Sequence, residues 1–162
     1  MEIKIAGIVE ESFVDGEGIR FAIFMQGCLR NCFNCQNPST HALDGGKIFD
    51  TQDIIKSFKK NPLLTGITLS GGEPFLQIAP ALELAATAKN LGLNVWCYTG
   101  YKFEDIPKTA AELLKNIDVI VDGEYIDELR DLELQFRGSS NQRIIDVQKT
   151  LESGKIILKS LE

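Results

Sequence analysis

Cys28, Cys32 and Cys35 fall within eight residues, spaced Cys-x3-Cys-x2-Cys. Thiolates are soft ligands, and a tight loop can aim three of them at one metal centre. A structural zinc site is one reading, but such sites are closed by four ligands, usually as two separated Cys-x-x-Cys pairs. No second pair follows, and the single histidine is His41. An iron–sulfur cluster is the other reading. Three thiolates leave one iron without a protein ligand, a position open to substrate, as catalytic zinc keeps one. The fourth cysteine, Cys97, sits in an apolar run and reads as a core residue.

Two further stretches carry chemistry. Ser70-Gly71-Gly72-Glu73-Pro74 follows the apolar run Ile67-Thr68-Leu69. Glycines let backbone approach a ligand closely, and a carboxylate accepts hydrogen bonds from an ammonium group. Gly-Gly alone would be an ordinary turn. Val14-Asp15-Gly16-Glu17-Gly18-Ile19-Arg20 reads first as a hairpin turn, since Asp-Gly and two glycines favour positive φ.

The cysteine spacing together with the Gly-Gly-Glu-Pro string resembles the radical S-adenosylmethionine (SAM) superfamily. Val14–Arg20 is similar to the signature of enzymes that activate glycyl radical enzymes. Phe136–Asp146, with its Gly138-Ser139-Ser140-Asn141 loop, resembles one subgroup, the anaerobic ribonucleoside-triphosphate reductase activating proteins. The resemblance implies a [4Fe–4S] cluster on Cys28, Cys32 and Cys35, with SAM on the fourth iron. Gly71, Gly72 and Glu73 would hold the methionine end, while Asn34, Cys35 and Gln36 would run past the adenosine. Asn34 departs from the pattern, because many relatives carry an aromatic residue there. Asp15 would contact the substrate protein. Reductive cleavage of SAM would give a 5′-deoxyadenosyl radical that takes hydrogen from a glycine of the reductase's large subunit, with a flavodoxin-like electron donor. No acid–base catalyst is implied. The alternatives are an activase of another glycyl radical enzyme such as pyruvate formate-lyase, a small radical SAM enzyme acting on a metabolite, and a non-catalytic metal-binding docking module.

The elements that must position these residues are legible in outline. Ile3–Val9 and Phe21–Gln26 read as strands, the second leading into the cysteine loop through Gly27. Pro38 and its polar neighbours make a loop. Asp50 reads as the cap of a helix carrying Ile54, Ile55 and Phe58, with Lys56, Lys59 and Lys60 as its solvated face. Residues 66–69 and 93–98 are strands, and 78–91 is a helix that Gly92 stops. A helical stretch over 103–116 is broken near Pro107, and 117–123 is a strand ending in Asp122. Asp122 either caps a turn or faces the site. Residues 124–134 read as solvated and partly helical, and 155–159 as a last strand. His41 is expected to be a packing or surface residue.

The chain has 162 residues, 44% of them hydrophobic, which suits one domain over 1–162. Its net charge of −6 offers no basic stripe for nucleic acid. No apolar run is long enough for a membrane span, and the start lacks a signal-peptide core, so a reducing cytoplasm is expected. Alternating helices and short Val/Ile/Leu-rich strands argue for an α/β fold with a largely parallel sheet. There are too few units for a full barrel of ~250 residues. The expectation is a partial, open (β/α) barrel, as the radical SAM resemblance also implies.

Overall fold

The computed structural model describes residues 1–30, 32–35 and 37–161. Its strands are β1 (Glu2–Ser12), β2 (Arg20–Met25), β3 (Lys47–Asp50), β4 (Gly66–Gly71), β5 (Asn94–Tyr98), β6 (Val119–Asp122) and β7 (Arg143–Asp146). Its α-helices are α1 (Thr51–Lys59), α2 (Ile78–Asn90), α3 (Ala111–Leu114) and α4 (Val147–Ser153). Among the described residues the strands form one sheet in the order β3-β1-β2-β4-β5-β6-β7. The α/β class is as expected. The sheet, however, is mixed rather than largely parallel. β2, β4, β5 and β6 run parallel, while β1, β3 and β7 are antiparallel additions at the flanks. The reason on one side is loop length. Residues 13–19 are too few for the crossover of a dozen or more residues that parallel neighbours need, so β1 and β2 form a hairpin.

Register divides the parallel strands into two faces. Thr68 pairs with Trp96 and Trp96 with Val119, while Leu69 pairs with Cys97 and Cys97 with Ile120. Side chains alternate along a strand, so each row lies on one face. The Leu69–Cys97–Ile120 row packs with Ile54 and Phe58 of α1, Leu84, Ala85 and Ala88 of α2, and Leu113 of α3. The Trp96–Val119–Val121 row forms a second, smaller cluster with Ile144, against which Tyr98, Phe136 and Leu161 pack. Cys97 is therefore a core residue, and Trp96 and Tyr98 face the other way, as the alternation requires. Burial on both faces is why these strands read as unbroken apolar runs.

Local signals behave as their chemistry dictates. Asp50 caps α1 by accepting the Gln52 N–H at 2.9 Å, and α1 buries Ile54, Ile55 and Phe58. Pro107 splits 103–116 into two 3₁₀ turns followed by α3. Within 124–134 the only regular piece is the 3₁₀ turn Asp127–Leu129. Two expectations change. Residues 155–159 form an isolated bridge, Leu158 to Ile145, rather than a strand. The strand at that edge is β7, and α4 follows it, capped by Asp146 and closed by Gly154. β3, with every residue exposed, has no buried face to mark it in the sequence.

Candidate functional site

Parallel strands present their C-terminal ends on one edge of a sheet, where α/β proteins gather ligands. Here β2 ends in the cysteine loop, β4 in Ser70-Gly71-Gly72, β5 in Tyr98-Thr99-Gly100 and β6 in Asp122-Gly123. A cavity of about 580 Å³ connects them, and Cys28, Cys32 and Cys35 all stand on its wall. All three thiols are free and partly buried.

The cysteine loop and the Gly-Gly turn are built against each other. Gly72 N–H donates to Met25 C=O at 2.8 Å and Glu73 N–H to Gly27 C=O at 2.7 Å, prolonging the β2–β4 ladder beyond the strands. Gly71 needs its φ of +91°. Gly72 needs empty space, since a Cβ there would stand 2.2 Å from the Gly27 carbonyl oxygen. On its other side the loop is fixed by Gly27 N–H to Thr40 C=O and Cys28 N–H to His41 C=O. His41, expected as a packing or surface residue, is half-buried and lines the cavity.

Glu73 is 3% exposed. Its carboxylate accepts from Phe75 N–H, Thr99 O–H and Gly100 N–H, at 3.2, 2.8 and 2.9 Å. Burial pushes its pKa up, and these donors with Arg30 oppose the shift. The side chain therefore clamps the β4 turn to the β5 turn rather than standing on the cavity wall. Asn34 takes a positive φ of 52°, is exposed, and donates to Asp127 at 3.4 Å. It lines an adjoining cavity of about 460 Å³ with Cys32, Cys35 and His41. Gln36 lies outside the described residues.

Asp15 lines the main cavity from the β1–β2 turn. Its carbonyl accepts the Thr68 hydroxyl at 2.7 Å, and its carboxylate accepts from Ser12. Arg20, fully buried, donates to Thr68, Ile67 C=O and Glu17 C=O, and lies 5.5 Å from the centre of the Trp96 ring. Burial lowers its pKa to about 10, leaving it charged at neutral pH. Gly16 is glycine because a Cβ would meet the Trp96 ring at 2.7 Å. The hairpin reading of 14–20 is right, and it carries Asp15 onto the cavity face. Asp122 resolves to its structural reading. It accepts from Phe103 N–H and pairs with Arg143.

Arg30 was not legible as a site residue. From between Cys28 and Cys32 it lies over the Tyr101 ring at 4.4 Å and pairs with Glu124 at 2.7 Å. The contacts join segments far apart in sequence, so spacing gives no sign of them. Around the thiols, burial and Glu124 push Cys32 up, opposed by the Tyr125 backbone N–H. The Asn37 N–H donates to Cys35 Sγ at 3.5 Å.

Among the described residues no group of three or more His, Cys, Asp or Glu side chains is drawn together around a single ion. Three thiols on one wall are a soft donor set that suits iron–sulfur chemistry. Two buried nitrogens on the same wall, Arg30 Nε and Arg137 Nε, have no hydrogen-bond partner among the described residues. Both belong to side chains that line the cavity, and their guanidinium groups suit a ligand's carboxylate.

The architecture and this thiol-walled cavity agree with sequence comparison, in which residues 14–145 match the family described as a 4Fe-4S single cluster domain. The anaerobic ribonucleoside-triphosphate reductase-activating protein of Haemophilus influenzae is 35% identical over 139 residues, covering 81% of this chain and 90% of that protein. Its counterpart in Enterobacteria phage T4 is 37% identical over 138 residues, 82% of this chain and 86% of that one. The chain belongs to the family of anaerobic ribonucleoside-triphosphate reductase-activating proteins. Among solved structures, QueE from Escherichia coli superposes with a TM-score of 0.49 at 15% identity, over 75% of this chain and 70% of QueE. No helix among the described residues is long and apolar enough to cross a membrane.

Proposed function

We propose that this protein activates the large subunit of an anaerobic ribonucleoside-triphosphate reductase by installing a glycyl radical on it. The single observation that carries the reading is the shared cavity. Three thiols, the Gly71–Gly72 turn and Asp15 face one space at the C-terminal side of the parallel strands. On this reading residues 1–162 form one domain, a partial open barrel of the radical SAM type. Cys28, Cys32 and Cys35 hold a [4Fe–4S] cluster, and a flavodoxin-like protein reduces it. SAM occupies the remaining space, its methionine end beside Gly71 and Gly72 and its adenosine toward Asn34 and Cys35. When bound, the cluster and SAM supply one-electron chemistry that removes a hydrogen atom from a carbon of the partner.

The chain's own residues bind, orient and shield. Gly72 lets the SAM-side turn sit directly on the cysteine loop, so the two ligand-bearing segments cannot drift apart. Glu73 fixes the β4 and β5 turns relative to each other and is a positioning residue. Asp15, held through Thr68 and Arg20, offers its carboxylate to the backbone of an entering glycine segment.

The test is anaerobic reconstitution with iron and sulfide, reduction, and mixing with SAM and the large reductase. A glycyl radical doublet in the EPR spectrum, with methionine and 5′-deoxyadenosine formed alongside, is the expected result. A radical on pyruvate formate-lyase but not on the reductase would reassign the partner. Stoichiometric zinc without sulfide would remove the reading altogether.

A further inference from the structure

Three apolar side chains stand in water at the mouth of the same cavity. Phe13 and Val14, in the β1–β2 turn, are 67% and 76% exposed, and Leu132, in the β6–β7 connection, is 80% exposed. All three line the cavity that holds the thiols. Exposure alone does not select them, since Leu29 and Phe33 on the cysteine loop are about as exposed yet do not line it. What sets the three apart is that two segments distant in sequence bring them to one opening.

Each segment is anchored from below. The β1–β2 turn is fixed by Gly16 against Trp96 and by the Thr68 hydroxyl on Asp15 C=O. The 131–138 stretch is anchored by Phe136, edge-on to Trp96 at 5.3 Å, and by Gly138 N–H on the Gln142 side chain at 2.9 Å. Trp96 is thus the floor under both. Exposed apolar groups carried on anchored backbone mark an interaction surface.

We propose that Phe13, Val14 and Leu132 form a two-sided apolar lip that seats the glycine-bearing segment of the large reductase, taking apolar side chains that flank the glycine. The proposal rests on the function proposed above and adds the surface and the chemistry of its partner. A small molecule enclosed in the cavity makes no use of apolar groups standing three-quarters in solvent at its edge. A segment whose parent protein stays outside does. Asp131, exposed beside Leu132, and Asp15, beside Val14, set carboxylates next to the apolar groups, and Arg137 lines the same wall, so the backbone N–H and C=O groups of an extended segment would both meet partners there.

The test uses the full chain, reconstituted with its cluster, and the variants Phe13→Ser and Leu132→Ser. Both side chains are exposed, so folding and cluster absorbance serve as controls. SAM cleavage by reductant without partner is expected to match the unsubstituted chain. Affinity for the large reductase is expected to fall roughly tenfold or more per variant, the size of losing a well-placed anchor. Radical yield should fall at low reductase concentration and recover at high concentration. Unchanged affinity in both variants would overturn the lip. So would a loss of self-association with no loss of reductase binding, because the face would then join two copies of this chain. If the unsubstituted chain binds the reductase but forms no radical, the proposed function fails while the affinity measurement still decides the lip.

Discussion

Gly72 occupies a position where no side chain fits, and the obstruction is protein backbone rather than ligand space. A Cβ would meet Gly27 C=O at 2.2 Å and Thr40 C=O at 2.8 Å. Neither carbonyl sits on a flexible side chain, so Gly72→Ala must move the turn away from the cysteine loop. The expected result is a joint loss: lower iron content, weaker SAM binding, and about 1–3 kcal/mol of stability, the usual cost of overpacking. Iron analysis and a thermal melt check this, and a variant with full iron but no SAM binding would contradict the shared-wall geometry. Glu73 gives a pH signature. Burial raises its folded pKa above the ordinary 4.5. A raised carboxyl binds its proton more tightly in the folded state, so its contribution favours folding at low pH and falls as pH rises through the folded pKa. Glu73→Gln should remove that slope from the stability profile. It also sets an NH₂ against one of three donors, a mismatch of about 1–3 kcal/mol. A melt series run upward in pH from the ordinary value of 4.5 reads both effects.

Elements were legible where burial imposed a pattern. β2, β4, β5 and β6 are covered on both faces and read as apolar runs, and α1 announced itself through the Asp50 cap and the Ile54–Phe58 stripe. β3 escaped because an exposed edge strand has no buried side to repeat. β7 escaped because Arg143-Ile144-Ile145-Asp146 is short and lies inside a string whose polar residues suggest a loop. The cysteines, the Gly-Gly turn and Asp15 were legible by residue type. Arg30 and Leu132 were not, since their places come from segments that only the folded sheet brings together. Asp122 shows how such elements are joined. It takes the Phe103 N–H and the Arg143 backbone and guanidinium, linking β6, the turn after β5, and β7. Asp122→Ala should cost roughly 2–3 kcal/mol, less than a fully buried pair because Arg143 can reach water. The melting temperature measures the loss, and hydrogen exchange should place it at 101–104 and 143–146.

At the scale of the whole molecule, the sheet's two faces are held by different means. Helices cover one face with a broad apolar core. Among the described residues the cavity face has the smaller Trp96 cluster, and the segment beyond α4 helps to cover it. Ile157 C=O accepts the Asp146 N–H and Lys159 N–H donates to Ile144 C=O, so residues 157–159 lie against β7 through a single isolated bridge. Leu161 packs into the Trp96 cluster. Lys159 also pairs with Glu17 at 3.1 Å, on the turn that carries Asp15. The segment therefore joins the far edge of the sheet to the β1–β2 turn across the Trp96 floor. Surface ion pairs contribute little alone, so the apolar and backbone contacts should dominate. Removing residues 155–162 should leave α1, α2 and β4 as protected from hydrogen exchange as before. Amides of 13–19 and 143–146 should exchange faster by roughly tenfold or more, as local opening no longer costs the Leu161 and backbone contacts. Cluster loading should persist, because the entry of the cysteine loop at 25–28 is tied to 40–41 and 72–73 instead. Loss of the cluster in the truncated chain would mean that the cavity face stands or falls as one unit; unchanged exchange at 13–19 would mean that the turn is held by Arg20 and Thr68 alone.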